Sequence, residues 1–385
     1  MSVRSIIERC EELCRDLDFK YVVEWKKAHS AKAIGYMPVY VPREIIHAAG
    51  MLPVGIMGGG DEIEIIRGDA YFQSYICRIP RSTIELGVCG KLDSLDGMLF
   101  PAICDVIRNL SGMWKVMFPG KYVKYIDFPQ DYNDAGKSFY ESELRRLCDD
   151  LSGISGVTVT DEALRNSIKL YNENRAAIDE LYRLRSRLPH QVTTYETYVI
   201  MRASNILEVS EHTKLVHEYI GAIKEVKRPE RDHVRVIVSG AFCEQPPLNL
   251  IKALESSGCY IVDDDWVLCS RYFIKDISED GDPFYALAES YIRSAVSTAS
   301  RYEEGKDKGQ YLLRMVRERQ AEGVVFAAPS FCDPALLERP MLQAVLSEHN
   351  IPYTGFKYAE NTGQIQVIKE ETGTFADSIK LWGTK

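Results

Sequence analysis

At 385 residues the chain exceeds what one ordinary hydrophobic core supports, so two or three domains are expected. Apolar residues make up 45% and charged residues 27%, the balance of a globular fold rather than a disordered or fibrous one. The net charge of −9, with no basic stripe to offset it, argues against a nucleic-acid binder.

The first twenty residues mix charges with Ile6, Ile7, Leu13 and Leu17 and lack the apolar centre and small-residue cleavage site of a secretory leader. No stretch approaches the roughly 18 apolar residues that span a bilayer. A cytoplasmic location without membrane contact is the expectation. There the ten cysteines should be free thiols, most of them small buried hydrophobes. None forms a Cys-x-x-Cys pair, so the sequence-local zinc and ferredoxin patterns are absent.

In chain order, residues 1–30 read as one amphipathic helix, with Ile6, Ile7, Cys10, Leu13, Cys14 and Leu17 at helical spacing. A strand over Ala33–Pro38 precedes a helix over Arg43–Ala49 that Pro42 opens and Gly50 stops, and a strand over Leu52–Met57 ends in Gly58-Gly59-Gly60. This strand–helix–strand order implies parallel pairing. A helix starting near Pro80 follows Cys77; then come a strand over Gly97–Phe100, a helix over Asp105–Val116 and a strand over Tyr122–Phe128. From Glu143 to about Lys227 the pattern is helical, with Thr160 a cap before Asp161 and Glu162. A charged linker, Lys227–Asp232, leads to strand Val234–Val238, helix Leu248–Ser256 and strand Cys259–Val262. A helical stretch over Pro283–Arg319, a strand before Cys332, a helix and a strand over Tyr353–Tyr358 complete the pattern.

One phrase occurs twice. Asp96-Gly-Met-Leu-Phe-Pro-Ala-Ile-Cys-Asp105 and Glu322-Gly-Val-Val-Phe-Ala-Ala-Pro-Ser-Phe-Cys-Asp333 each run from an acidic-Gly start through an apolar strand to Cys-Asp, where a helix begins. The expected fold is therefore α/β, with two Rossmann- or flavodoxin-like parallel-sheet domains related by a pseudo-repeat and a helical segment between them. The expected divisions are 1–142 (N-terminal helix plus first α/β domain), 143–232 (helical) and 233–385 (second α/β domain).

Cys77, Cys104 and Cys332 share one expected setting, the head of a helix, where amides and the helix dipole favour a thiolate. Three convergent thiolates suit a soft metal centre, an iron–sulfur cluster better than zinc. By spacing alone the plainer reading, buried and inert thiols, is the favoured one. Tyr75 and Glu244 are candidate proton donors; the plainer readings are core packing for Tyr75 and a dipole-stabilised helix N-terminal carboxylate for Glu244. His47 reads as a packed helix histidine, Asp263-Asp264-Asp265 as an acidic strand-end loop rather than a Mg²⁺ site, and Asn361 and Gln364 as loop caps or CoA contacts. No Gly-x-x-x-x-Gly-Lys-[Ser/Thr] loop is present, and Gly58-Gly59-Gly60 is no substitute.

Longer phrases carry a family resemblance: Tyr36-Met-Pro-Val-Tyr-Val-Pro-Arg-Glu-Ile-Ile-His-Ala-Ala-Gly50, Ser74-Tyr-Ile-Cys-Arg-Ile-Pro-Arg-Ser82, Phe100-Pro-Ala-Ile-Cys-Asp-Val-Ile-Arg108, Phe242-Cys-Glu-Gln-Pro-Pro247, Pro329-Ser-Phe-Cys-Asp-Pro334 and Gly373-Thr-Phe-Ala-Asp-Ser378. Through them the whole chain resembles the 2-hydroxyacyl-CoA dehydratase and benzoyl-CoA reductase family, on the side of the smaller cluster-binding subunit of the ATP-dependent reductases. The resemblance implies a [4Fe-4S] cluster on Cys77, Cys104 and Cys332 with one iron left open; Cys243 is not in that ligand set. It implies a larger homologous cluster-binding subunit and two actin-like ATPase subunits that bind the ATP, fed indirectly by ferredoxin. It implies reductive dearomatisation of benzoyl-CoA to a cyclohexadienoyl-CoA. The alternatives are a dehydratase subunit, with radical water elimination from a 2-hydroxyacyl-CoA, and a non-catalytic CoA-docking subunit.

Overall fold

A computed structural model describes residues 1–240, 242, 246–302, 307–359 and 364–382. It opens with helix α1 (Val3–Arg15) and helix α2 (Lys20–His29). The single helix expected over 1–30 is thus broken. The Asp16 carboxylate takes the amides of Asp18 (3.1 Å) and Lys20 (2.7 Å), and Phe19 turns left-handed (φ 49°), so side chain competes with helix for backbone donors.

The first sheet uses β1 (Ala33–Tyr36), β2 (Leu52–Gly55), β3 (Gly97–Pro101) and β4 (Tyr122–Ile126), with α3 (Arg43–Ala48), α4 (Arg78–Val88) and α5 (Asp105–Met117) among them. Four helices follow: α6 (Asp134–Ser155), α7 (Asp161–Arg187), α8 (Thr194–Ala203) and α9 (Val209–Ile223). The second sheet uses β5 (Val234–Ser239), β6 (Cys259–Asp264), β7 (Gly323–Pro329) and β8 (Tyr353–Tyr358). Its helices are α10 (Leu248–Ser256), α11 (Pro283–Arg293), α12 (Asp307–Glu318), α13 (Asp333–Glu348) and α14 (Ile365–Trp382).

Every strand pair is parallel, and the two sheets have the same order, β2-β1-β3-β4 and β6-β5-β7-β8. That order is the flavodoxin-like one, with its switch point between the first and third strands of each sheet. The pseudo-repeat expected from the twin Cys-Asp phrases is therefore a repeat of topology. β1, β2, β3 and β7 are buried at every position, as strands covered by helices on both faces must be.

Two differences from the sequence reading have local causes. The helical stretch expected over 283–319 stops at Arg293, where the chain turns to pair with 272–274: Ile274 donates to the Ser294 carbonyl and Val296 to that of Tyr272, both at 2.8 Å. The Arg301 guanidinium then caps the carbonyls of Tyr291 (3.0 Å) and Ile292 (2.6 Å). Helix α14 has no counterpart in the sequence reading, although Ile368, Thr372, Phe375, Ala376 and Ile379 form a buried stripe at helical spacing. No helix among the described residues is long and apolar enough to cross a membrane.

Two large apolar clusters form the interior. One unites the first sheet with α6, α11 and the start of α7 through Leu164 and Ile168; the other unites the second sheet with α1, α8, α9 and the end of α7 through Ile178 and Leu181. Phe242, Ala328 and Cys332, from the second half of the chain, belong to the first cluster.

Candidate functional site

Cys104 follows β3 and Cys332 follows β7, the same strand of each sheet, at the carboxyl ends where open α/β sheets collect their ligands. Each is the N-cap residue of the helix it precedes, Cys104 of α5 and Cys332 of α13, and Cys77 is the N-cap of α4. Such positions ordinarily take Ser, Thr, Asp or Asn, whose oxygen accepts a free amide. At Cys104 the amides of Val106 and Ile107, two and three positions on, face the sulfur from the places such a cap serves.

Cys332 belongs to the first apolar cluster and Cys104 packs against the same cluster, near enough for a charge on one thiol to be felt at the other. Burial pushes the Cys104 thiol pKa up; the amides of Ile107 and Val106, which face its sulfur, pull it down; Cys332 and then Asp105 raise it again. Burial is the larger cause of that upward shift and Cys332 a lesser one, so a cation held near both sulfurs would offset each. Cys77 is half-buried at the head of α4. Among the described residues, no group of three His, Cys, Asp or Glu side chains converges as a metal cage. Donor type and paired placement thus fit a soft metal centre for Cys104 and Cys332, without a third converging ligand in this conformation.

Positive-φ backbone gathers at the same edge. Val39 (φ 63°) and Tyr40 (φ 54°) follow β1, Phe331 (φ 65°) immediately precedes Cys332, and Gly240 (φ 115°) follows β5. Left-handed backbone at a β-branched or aromatic residue costs of order 1–3 kcal/mol and persists only where surroundings over-determine it. Tyr40 shows how. Its hydroxyl bonds Thr298 (2.5 Å) and Ser300 (2.8 Å), its carbonyl accepts from the Tyr140 hydroxyl (2.9 Å), and its ring stacks on Phe128 at 4.6 Å.

Helix α4 holds the loop that leads to Cys77. Arg78, Arg81, Ser82 and Glu85 share one helical face, at spacings of three, four and seven. Arg78 bonds the Ile63 carbonyl (3.0 Å), Arg81 pairs with Asp69 (2.8 Å), and Ser82 accepts the Gly59 amide (3.3 Å). One oxygen of buried Glu85 accepts three successive amides, Ile66 (2.9 Å), Arg67 (2.6 Å) and Gly68 (2.8 Å). Gly68 is obligatory, since a Cβ there would stand 2.1 Å from the Arg81 carbonyl oxygen. Sequence reading missed Glu85; the signal available was an acidic residue one helical turn from Arg81, on the same face as Arg78 and Ser82.

The other candidates separate. Tyr75 is 63% exposed, two residues before Cys77, so its plain reading as a core residue is overturned: the loop carries it outward. Glu244, Cys243 and Asn361 lie outside the described residues. Gln364 is exposed beside α14, its carbonyl accepting the Ile368 amide (3.0 Å). His47 is a packed helix histidine, bonded to the Ser167 hydroxyl (2.9 Å) and 3.4 Å from Glu208. The acidic run is not a loop. β6 extends to Asp264, and Asp263 and Asp264 are buried. Asp263 meets Arg271 (2.9 Å) and Arg319 (2.7 Å), and Asp264 meets Arg185 (2.7 Å), so guanidinium groups occupy the place a Mg²⁺ ion would need. None of the nine described cysteines is in a disulfide.

Compared with known proteins, residues 38–379 match the model of the 2-hydroxyglutaryl-CoA dehydratase D-component family. The chain belongs to this family. It is 59% identical over 385 residues to a benzoyl-CoA reductase subunit of Thauera aromatica, covering 99% of this chain and 100% of that one. It is 31% identical over 335 residues to the beta subunit of (R)-phenyllactyl-CoA dehydratase from Clostridium sporogenes, with 87% and 88% covered. It is 30% identical over 387 residues to the beta subunit of (R)-2-hydroxyglutaryl-CoA dehydratase from Acidaminococcus fermentans, with 98% and 100% covered. Reductase and dehydratase subunits thus share one D-component framework, and the span matched to the family includes all three cysteines.

Proposed function

We propose that this chain is the smaller, cluster-binding subunit of an ATP-dependent benzoyl-CoA reductase, an oxidoreductase. The observation that carries the reading is 59% identity, end to end, to a subunit of an enzyme so named, against about half that identity to the dehydratase subunits. Cys77, Cys104 and Cys332 would hold a [4Fe-4S] cluster with one iron open, and such a group supplies single-electron transfer at low potential. A larger homologous subunit would complete the substrate cleft, and two actin-like ATPase subunits, fed by ferredoxin, would bind the ATP. This division of labour agrees with a sequence that has no phosphate-binding Gly-Lys-Ser/Thr loop.

The chain's own residues then have defined tasks. Cys104 and Cys332 present sulfur from two separate sheets, and at Cys104 the amides of Ile107 and Val106 favour the thiolate against the cost of burial. The apolar cluster that includes Phe100, Ile103, Ala328 and Cys332 keeps water from the thiol pair. Tyr75, exposed beside Cys77, and Glu244 are the proposed proton donors to a ring held at the subunit junction.

The complex, purified without oxygen, should contain iron and acid-labile sulfide and turn over benzoyl-CoA with reductant and ATP. Cys104→Ala should lose iron. Full iron in that variant, or turnover of a 2-hydroxyacyl-CoA alone, would overturn the reading.

A further inference from the structure

Cys104 and Cys332 come from different sheets, so a shared site exists only while the two sheets keep a fixed separation. Apolar packing joins the halves, but it is non-directional and does not by itself set a register. Helix α7 reaches both apolar clusters, its first half packing with the first sheet and its second half with the second, as β7 also does through Ala328 on one side and Val325 and Ala327 on the other.

This helix carries a buried ion pair to each half. Arg175 meets Glu44 at 2.9 Å, and Arg185 meets Asp264 at 2.7 Å. Glu44 lies in the first turn of α3, just past the strained loop that follows β1; Asp264 is the last residue of β6. Both anchors therefore lie at carboxyl ends of strands, the edge that bears the two thiols. The anchoring arginines are ten residues apart, about 15 Å along the helix axis.

Each anchor is braced. Arg175 also donates to Asn172 (2.6 Å), which bonds the Ile277 amide (3.0 Å) and carbonyl (2.9 Å), so the pair is tied to the segment before α11. The Tyr182 ring lies between Arg185 (4.3 Å) and Arg271 (3.4 Å), and Arg271 bonds both Asp263 and the Asp264 carbonyl. A buried pair in a fixed geometry is weak evidence of net stability, because desolvation offsets the attraction; register is its best-attested use.

We propose that α7 is the strut that sets the separation of Cys104 and Cys332, and that Arg175 and Arg185 are positioning residues for the site they share. The inference rests on that shared site, not on the identity of the substrate.

The test measures distance in the purified full chain. Spin labels on genetically encoded unnatural residues at Val116 of α5 and Leu337 of α13, which are 82% and 80% exposed, report on the two helices that the cysteines cap and leave native thiols untouched. Arg175→Met should replace a narrow distance distribution with a shifted or broadened one, and Arg175→Lys should restore most of it. Arg183→Met, which removes the exposed Arg183–Asp179 pair on the same helix, should leave it unchanged. A folded Arg175→Met chain with the wild-type distribution would overturn the proposal. Should Arg175→Met not fold, Glu44→Gln, which keeps an acceptor oxygen, is read in the same way, and an unchanged distribution is equally fatal. Because no substrate is present, failure of the strut and failure of the reductase reading are separate results.

Discussion

Glu85 is the sharpest point at which to perturb the loop that leads to Cys77. Its carboxylate accepts the amides of Ile66, Arg67 and Gly68, a load that no neutral side chain carries as well. Hydrogen bonds to a charged group contribute roughly 1.5–3 kcal/mol each, which would give at most about 9 kcal/mol for three. The real loss is smaller. Ile66 and Arg67 are exposed and their amides regain water on opening, so only the Gly68 amide is left buried. About 2–3 kcal/mol of local stability is therefore expected to go in Glu85→Ala. This corresponds to roughly 30- to 150-fold more frequent opening of the loop (1.4 kcal/mol per tenfold, the usual conversion). Glu85→Gln, which keeps an acceptor without the charge, should lose about half as much in free energy.

Two readouts check this: amide exchange over residues 63–77 by mass spectrometry, and the alkylation rate of Cys77 in the purified chain. Both should rise together while the melting transition of the sheets moves little. The pH dependence has a definite sign. Burial raises the Glu85 pKa, but the amides of Gly68, Ile66 and Arg67 and the Cys89 thiol outweigh it, so the folded value lies below the ordinary one. The stabilisation is therefore complete above the unfolded pKa and disappears as pH falls through the folded one. Exchange in Glu85→Ala no faster than in the unaltered chain would show that the loop is held by its other contacts and refute the reasoning.

Three further outcomes follow from particular residues. His212 is fully buried and neutral, its Nε2 donating to the Ile200 carbonyl (3.0 Å) and its Nδ1 accepting from Asn174 (2.9 Å); burial lowers its pKa to about 4. Because the unfolded chain takes up that proton first, this residue's share of stability, roughly 3 kcal/mol, falls away between about pH 6.5 and pH 4. Denaturant titrations across that range should show a smaller loss in His212→Gln. Asp264→Ala leaves the Arg185 guanidinium buried without its partner and should cost about 3–5 kcal/mol, read as a drop in denaturation midpoint. At Gly323 of β7 a Cβ would come within 2.7 Å of the Phe375 ring and 2.9 Å of Ile379, so Gly323→Ala should cost about 1–3 kcal/mol and loosen α14, seen as faster amide exchange there.

Much of this protein could be read along the chain. Strands appear as short runs of apolar residues because helices cover both sheet faces, and the twin phrases ending in Cys104-Asp105 and Cys332-Asp333 mark the same strand of two identically ordered sheets. Pro80 near the start of one helix, and Asp105 and Asp333 in the first turns of two others, are local signals, which is why the three cysteines could be placed at helix heads.

What remained hidden depends on groups far apart in sequence. That Cys104 and Cys332 share one apolar cluster, that Asp263 and Asp264 are matched by Arg271, Arg319 and Arg185, and that Tyr75 faces outward are facts of tertiary placement. Periodicity reports which face of an element is buried, not which partner buries it. An aspartate triplet looks the same whether a metal ion or three arginines neutralise it. Local propensity thus determined the elements and their repeat, while long-range packing and charge pairing decided which side chains meet at the carboxyl edge of the two sheets.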